Sequence, residues 1–289
     1  MQHTVTRPSA AFSVSDGALS VHQVPVAQDN LSWVLACTKT SRAWVVDGPW
    51  AAEVLAFCAE QELTLVGVLN THTHFDHIGV NRDLEKRGLL DGMEVYGSAL
   101  VANNIPGLTH PVTEGDTFKL GEAEVRVMLT EGHIDGHITF VVDGAVFCGD
   151  TLFAGGCGFL ADGPPSKMLH SLLRLAELPG DTKVCCAHEY TKDNLRFAWM
   201  VEPDNADLAQ RIRDVWAVRS DGGCAVPSTI EEERATNPFM RPGSPSLRRN
   251  VHNYAPDARL HTHLEVFTAT RSLKDTRLHR TQPEDALPL

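Results

Sequence analysis

Leu63–Asn70 restricts the fold more than any other part of the chain. It is a mostly apolar run with β-branched residues, the pattern of a strand buried on both faces. Around it, strands and helices alternate. Ser20–Val26, Leu31–Cys37 and Ala43–Asp47 read as short strands, and Ala51–Gln61 as a helix on Val54, Leu55, Phe57 and Cys58. Further strands are expected at Glu94–Tyr96, Glu124–Leu129, Ile138–Val142 and Ala145–Cys148. Asp143-Gly144 turns the last two into a hairpin. Ser166–Leu178 is an amphipathic helix built on Met168, Leu169, Leu172, Leu173 and Leu175, and Val184–Ala187 is one more strand.

From Thr191 only helices are expected, at Thr191–Val201, Asp204–Ser220, Ser228–Ala235 and Leu260–Leu273. Ser228 and Glu231 form a capping box for the third, and a Pro/Gly/Ser-rich passage, Pro238–Pro245, precedes the fourth. The division expected is a flexible extension over residues 1–17, a mixed α/β domain over 18–190 and a helical domain over 191–289. Leu278–Leu289 reads as a loose end.

Composition removes several classes of function. With 37 acidic and 25 basic residues the formal charge is −12, against a general nucleic-acid binder. Residues 241–289 hold 8 basic and 5 acidic residues, whereas residues 1–240 hold 17 and 32. No apolar run approaches the roughly 18 residues of a membrane span, and Met1–Ser15 lacks the pattern of a secretory signal. The 7 cysteines, mostly in apolar segments, suit buried thiols in a cytoplasmic protein. A monomer or small homo-oligomer is expected.

The chemistry lies directly after the buried strand, in Thr71-His72-Thr73-His74-Phe75-Asp76-His77. Residues two apart in an extended segment face the same way, so His72 and His74 can share one centre. Asp76 and His77, past the strand end, can turn toward a second. Two imidazoles suit Zn²⁺, Fe²⁺ or Mn²⁺, and a carboxylate hardens the site. His133, Asp150 and His188 follow at strand ends or in the loops beyond them, where open α/β sheets place function. Asp150 is the candidate to bridge two cations through its two oxygens. His137 reads as a supporting residue rather than a ligand. His261-Thr262-His263 repeats the first tripeptide without an adjacent Asp-His or a convergent partner, and reads as surface.

These motifs, Thr-His-x-His-x-Asp-His, Gly-His-x-x-Gly-His, Gly-Asp-Thr-Leu-Phe and His-Glu-Tyr-Thr, resemble those of the metallo-β-lactamase superfamily. Asn237-Pro238-Phe239-Met240-Arg241 and the helical tail narrow the resemblance to glyoxalase II, the hydroxyacylglutathione hydrolases. The resemblance implies an αββα sandwich followed by a smaller α-helical domain. It implies two divalent metal ions, zinc first and iron or manganese as alternatives. His72, His74 and His133 would hold one ion; Asp76, His77 and His188 the other; Asp150 would bridge. Asp47 would receive an N–H from a ligand imidazole. Two cations about 3.5–4 Å apart can share a water and supply hydroxide near neutrality. The reaction implied is hydrolysis of S-(2-hydroxyacyl)glutathione, such as S-lactoylglutathione, by a metal-bridging hydroxide, with Asp76 and Asp150 at its centre.

For the substrate, the resemblance implies Tyr190, Arg271 and Lys274. The loop from Gly158 departs from the family: Phe159 stands where a basic residue is expected and Ala161 where a Tyr often sits. A lost charge-assisted contact is worth about 1.5–3 kcal/mol, or ten- to hundredfold in affinity. Phe159 can still cover an apolar part of the substrate. The expectation is a thioesterase with weakened or altered preference among glutathione thioesters. Two other readings use the same superfamily: a mononuclear-iron glutathione persulfide dioxygenase, and a lactonase or thioesterase with another substrate.

Overall fold

The computed structural model describes residues 3–289; Met1 and Gln2, the first residues of the expected extension, lie outside the described residues. In chain order the elements are β1 (Phe12–Val14), β2 (Leu19–Val26), β3 (Asn30–Cys37), β4 (Arg42–Val46), α1 (Ala52–Glu60), β5 (Thr64–Leu69) and α2 (Phe75–Lys86). Then come β6 (Glu94–Ser98), β7 (His110–Val112), β8 (Thr117–Leu120), β9 (Ala123–Leu129), β10 (Ile138–Val142) and β11 (Ala145–Gly149). β12 (Leu152–Phe153), β13 (Gly156–Cys157), α3 (Pro165–Leu175), β14 (Lys183–Cys186), α4 (Thr191–Val201) and α5 (Ala206–Ser220) follow. β15 (Ser228–Thr229), α6 (Ile230–Thr236), α7 (Pro245–Tyr254) and α8 (His263–Asp275) are the last strand and α-helices, and two short 3-10 helices follow.

Two sheets carry the fold. One has 7 strands in the order β1 to β7; the other has 6 in the order β15-β14-β11-β10-β9-β8. Alternation along β3 and β4 explains the layering. Trp33, Leu35, Trp44 and Val46 join the core shared with the second sheet. Their neighbours Val34, Ala36, Ala43 and Val45 pack instead with Val54, Cys58, Val80 and Leu84 of α1 and α2. Met168, Leu169, Leu172 and Leu175 of α3 belong to the first of these cores, with Phe267 and Leu273 of α8. The result is the αββα sandwich, with a helical C-terminal part built on it.

Several expectations need correction. β5 lies between β4 and β6, but only Gly67, Val68 and Leu69 are buried; Thr64 is exposed and Leu65 and Val66 half-buried. The expected loose extension is tied down: Phe12–Val14 pairs with Leu19–Val21, and the amides of Thr6 and Arg7 donate to Gly222 O. The expected loose end is also anchored. Leu287 is buried against α4 and α5, and Trp199 Nε1 donates to Ala286 O at 2.9 Å. The helix expected from Ser228 starts at Ile230, because Ser228 and Thr229 pair with β14 and Thr229 caps the helix. Helices α2 and α7 were not legible. Gly79 interrupts the apolar pattern of α2 because Pro49 O would lie 2.0 Å from a Cβ at that position. Among the described residues no helix is long and apolar enough to cross a membrane.

Candidate binuclear metal centre

Strand ends deliver the site. Asp47 follows β4, His72 follows β5, Asp150 follows β11 and His188 follows β14; these strands run parallel in their pairs. His74 is the N-cap residue of α2, so Asp76 and His77 lie in its first turn rather than in a free loop. His133 comes from the loop between β9 and β10.

The seven expected ligands converge as two sets. His74 Nδ1 lies 3.1 Å from His72 Nε2 and 3.0 Å from His133 Nε2. Asp150 Oδ2 is 3.4 Å from His133 Nε2. Asp150 Oδ1 faces the other way, 3.5 Å from both His77 Nε2 and His188 Nε2. Asp76 Oδ2 closes that second set at 3.6 Å from His77 Nε2 and 3.4 Å from His188 Nε2. The cluster therefore suits two metal ions, with Asp150 lying between the two sets.

The nitrogens away from the centre are fixed by buried acceptors. Asp47 Oδ2 accepts from His77 Nδ1 at 3.0 Å and from Thr71 Oγ1 at 2.6 Å, while Oδ1 accepts from Thr71 N at 2.9 Å. With its proton given to Asp47, Thr71 Oγ1 accepts from His72 Nδ1 at 3.0 Å. His188 Nδ1 donates to Asp29 Oδ1 at 2.9 Å and His133 Nδ1 to Phe159 O at 2.7 Å. Each of these four rings thus turns its Nε2 lone pair inward. His137 sits behind the centre: its Nε2 accepts from Asp150 N at 3.2 Å. Burial and neighbouring imidazoles hold His137 well below its usual pKa, so it stays neutral and can accept.

The donor set fits cations on independent grounds. Among the described residues, His77 Nε2 and Asp150 Oδ1 are buried with no hydrogen-bond partner. Burial alone would lower the pKa of His77, but Asp150, Asp47 and Asp76 outweigh it and push it up to about 9. The carboxylates thus favour positive charge there, and a divalent ion can replace the proton. His72 is held well below its usual value by burial and by His77, leaving its lone pair free.

Asp29, Asn30 and Thr71 are participants that sequence reasoning did not assign. Asn30 Nδ2 donates to Asp76 Oδ2 at 3.1 Å. Asp29-Asn30 reads locally as a turn between strands, and nothing in the sequence shows which histidine it will meet.

A cavity of about 570 Å³ adjoins the centre, lined by Tyr190, Phe159, Arg271 and Lys274 among others. Tyr190 stacks on His188 with ring centroids 4.9 Å apart. Arg271 and Lys274 are buried rather than on a solvated helix face. The Phe159 side chain is 59% exposed, whereas its carbonyl holds His133 and Ala161 N donates to His133 O at 2.9 Å. The backbone of this loop therefore orients His133, and its side chains can vary without disturbing those contacts. Arg271 Nη1 lies 3.8 Å from Cys157 Sγ. Burial nonetheless raises the pKa of this thiol. His261 and His263 are exposed around the N-cap of α8, as expected of a surface pair.

Asp47 has φ +54°, a left-handed conformation that Asn also tolerates. Asp47→Asn therefore keeps the backbone while removing the charge behind His77. Metal affinity is expected to fall about 10- to 100-fold, measured by competition with a chromogenic chelator.

Comparison with known proteins agrees with this architecture. Residues 46–188 match the metallo-beta-lactamase superfamily model, and residues 189–277 match the model of the hydroxyacylglutathione hydrolase C-terminus. ETHE1 from Myxococcus xanthus shares the fold, with a TM-score of 0.58 at 22% identity over 96% of this chain and 93% of that one. So does the B3 metallo-beta-lactamase BLEG-1, with a TM-score of 0.55 at 21% identity over 76% of this chain and 99% of that one. Fold and site define a member of the metallo-β-lactamase superfamily.

Sequence relatives are more specific. The hydroxyacylglutathione hydrolase of Gloeobacter violaceus is 46% identical over 257 residues, 88% of this chain and 98% of the relative. That of Methylococcus capsulatus is 42% identical over 259 residues, 89% and 98% of the two chains. The chain belongs to the hydroxyacylglutathione hydrolase family.

Proposed function

We propose that this protein is a metal-dependent thioesterase that hydrolyses S-(2-hydroxyacyl)glutathione to glutathione and a 2-hydroxy acid. The observation that carries the reading is the orientation of Asp150, with one oxygen toward each set of nitrogens. His72, His74 and His133 with Asp150 Oδ2 would hold one ion; Asp76, His77 and His188 with Oδ1 would hold the other. Zinc is the proposed metal, since imidazole and carboxylate donors suit it, with iron or manganese as substitutes. When bound, two such ions supply water of lowered pKa and positive charge for a developing oxyanion.

The chain's own residues prepare the rest. Asp47, Thr71, Asp29 and the Phe159 carbonyl keep four imidazoles turned inward, so little reorganisation is left for the reaction. Tyr190 and Phe159 provide aromatic surface in the adjoining cavity, and Arg271 and Lys274 provide positive charge for a carboxylate-bearing thiol. A thiol leaving group has a pKa of about 8–9, so it departs as thiolate with little need of a general acid. The neutral Phe159 supports weaker binding of glutathione thioesters than a basic residue there would give.

Metal analysis combined with turnover tests this. Two metals per chain and hydrolysis of S-D-lactoylglutathione, abolished by chelator and restored by zinc, are expected. One iron per chain with oxygen uptake would establish the persulfide dioxygenase instead. Lactone hydrolysis untouched by removal of Arg271 and Lys274 would establish the lactonase.

A further inference from the structure

We propose that Arg277 is a specificity-determining residue that captures a carboxylate of the thiol portion of the substrate. The inference rests on the reading that the cavity accepts a dicarboxylate thiol such as glutathione. It starts from the charges that line the cavity. Four are permanent or near-permanent cations, Arg271, Lys274, Arg277 and Arg280, and three are carboxylates, Asp29, Asp193 and Asp275.

Three of the cations are already engaged. Arg271 Nη2 donates to Asp275 Oδ1 at 2.7 Å and its Nη1 to Cys157 O at 3.2 Å. Lys274 Nζ donates to Asp193 Oδ2 at 3.0 Å and to Asp193 O at 3.1 Å. Arg280 grips the same carboxylate through Nε and Nη2 at 2.9 and 3.2 Å. Asp29, in turn, is held by His188 and Tyr190. Arg277 is exposed, and among the described residues its side chain has neither an ion pair nor a hydrogen bond. It is the cavity's uncommitted cation.

Its placement is built by the backbone. Arg277 has φ +60°, in the left-handed region that a non-glycine residue seldom adopts. Its N–H donates to Lys274 O and its carbonyl accepts from Arg280 N, both at 3.0 Å. This turn reverses the chain after α8, so Arg277 and Arg280 line the same cavity as Lys274. The anchored end of the chain fixes the turn from beyond, through Glu284 on Arg196 and Trp216. A free guanidinium offers a planar fork that matches a carboxylate in two-point contact. It also stands beside a loop that contributes the neutral Phe159, so a free basic group enters this cavity from the chain end rather than from that loop.

The test is equilibrium binding of S-hexylglutathione to the metal-loaded full-length protein by calorimetry. Arg277→Gln is expected to raise Kd about tenfold, the value of one exposed charge-assisted contact. Arg277→Lys should recover part of the loss. S-hexyl-N-acetylcysteamine, which has no carboxylate, should bind both proteins alike. An unchanged Kd for S-hexylglutathione, or an equal loss for both ligands, overturns the proposal. Binding is read without turnover, so a wild-type protein that binds S-hexylglutathione but hydrolyses no glutathione thioester sinks the catalytic reading and leaves Arg277 standing.

Discussion

Asp150→Asn is expected to lower kcat/KM for thioester hydrolysis on the order of a thousandfold or more, and to bring the metal content from two ions per chain toward one. The supporting groups around a metal site are each worth about 10- to 100-fold, so loss of the carboxylate that faces both candidate ion sites must exceed them. Asn retains the shape and one oxygen, but replaces the other oxygen by an NH₂ that cannot coordinate and removes the negative charge. Little else can compensate. Asp150 N is held by His137 Nε2 at 3.2 Å, and Gly149 before it has φ +47°. A Cβ on Gly149 would lie 2.3 Å from Thr71 Oγ1, so this backbone passes too close to the ligand strand to shift. Metal quantitation and steady-state kinetics check the outcome. Two tightly held ions with activity near that of the wild type would remove the bridging role, and with it the two-ion reading.

The candidate metal centre was legible because its residues are chemically distinctive and follow short apolar strands. His72 and His74 share a face by strand geometry, and the ends of β5, β11 and β14 bring in His72, Asp150 and His188. Beyond Asp47, what orients these side chains was not legible. Asp29 and Thr71 are ordinary turn and strand-end residues until the fold sets Asp29 beside His188 and Thr71 between Asp47 and His72. Helix α2 escaped because Gly79 serves a contact with Pro49 rather than its own helix. The two chain ends read as loose for a different reason: short polar segments carry no periodicity. They are anchored by hydrogen bonds instead, to the Gly222 carbonyl for one end and from the indoles of Trp199 and Trp216 for the other. A polar segment can be well fixed without any apolar pattern to announce it.

Arg211→Ala is expected to cost about 3–5 kcal/mol of stability, the usual consequence of stranding a buried charge. Glu233 has 0% exposure, and its Oε1 accepts from Arg211 Nη2 at 2.5 Å. Arg211 Nη1 also donates to Thr236 Oγ1 at 2.6 Å, so the guanidinium joins α5 to α6. The same carboxylate faces the metal domain, because Glu233 Oε2 accepts from Gly155 N at 2.8 Å and Asn237 Nδ2 at 2.9 Å. Asn237, which opens the Asn-Pro-Phe-Met-Arg run, also donates to Gly156 O at 2.9 Å. That run is therefore a fastening of the helical tail to the β12–β13 hairpin, a few residues beyond Asp150. Thermal unfolding followed by circular dichroism should show the loss as a fall in Tm of roughly 2–4 °C per kcal/mol for a chain near this size. An Arg211→Met/Glu233→Leu double variant should regain much of the stability, since apolar replacement of a buried ion pair is often neutral. It should still bind metal more weakly than wild type, because Gly155 N loses its acceptor and Asn237 Nδ2 loses one of its acceptors. If the double variant matched wild type in metal affinity, the fastening would be a matter of stability alone, and an unchanged Tm in Arg211→Ala would remove it altogether.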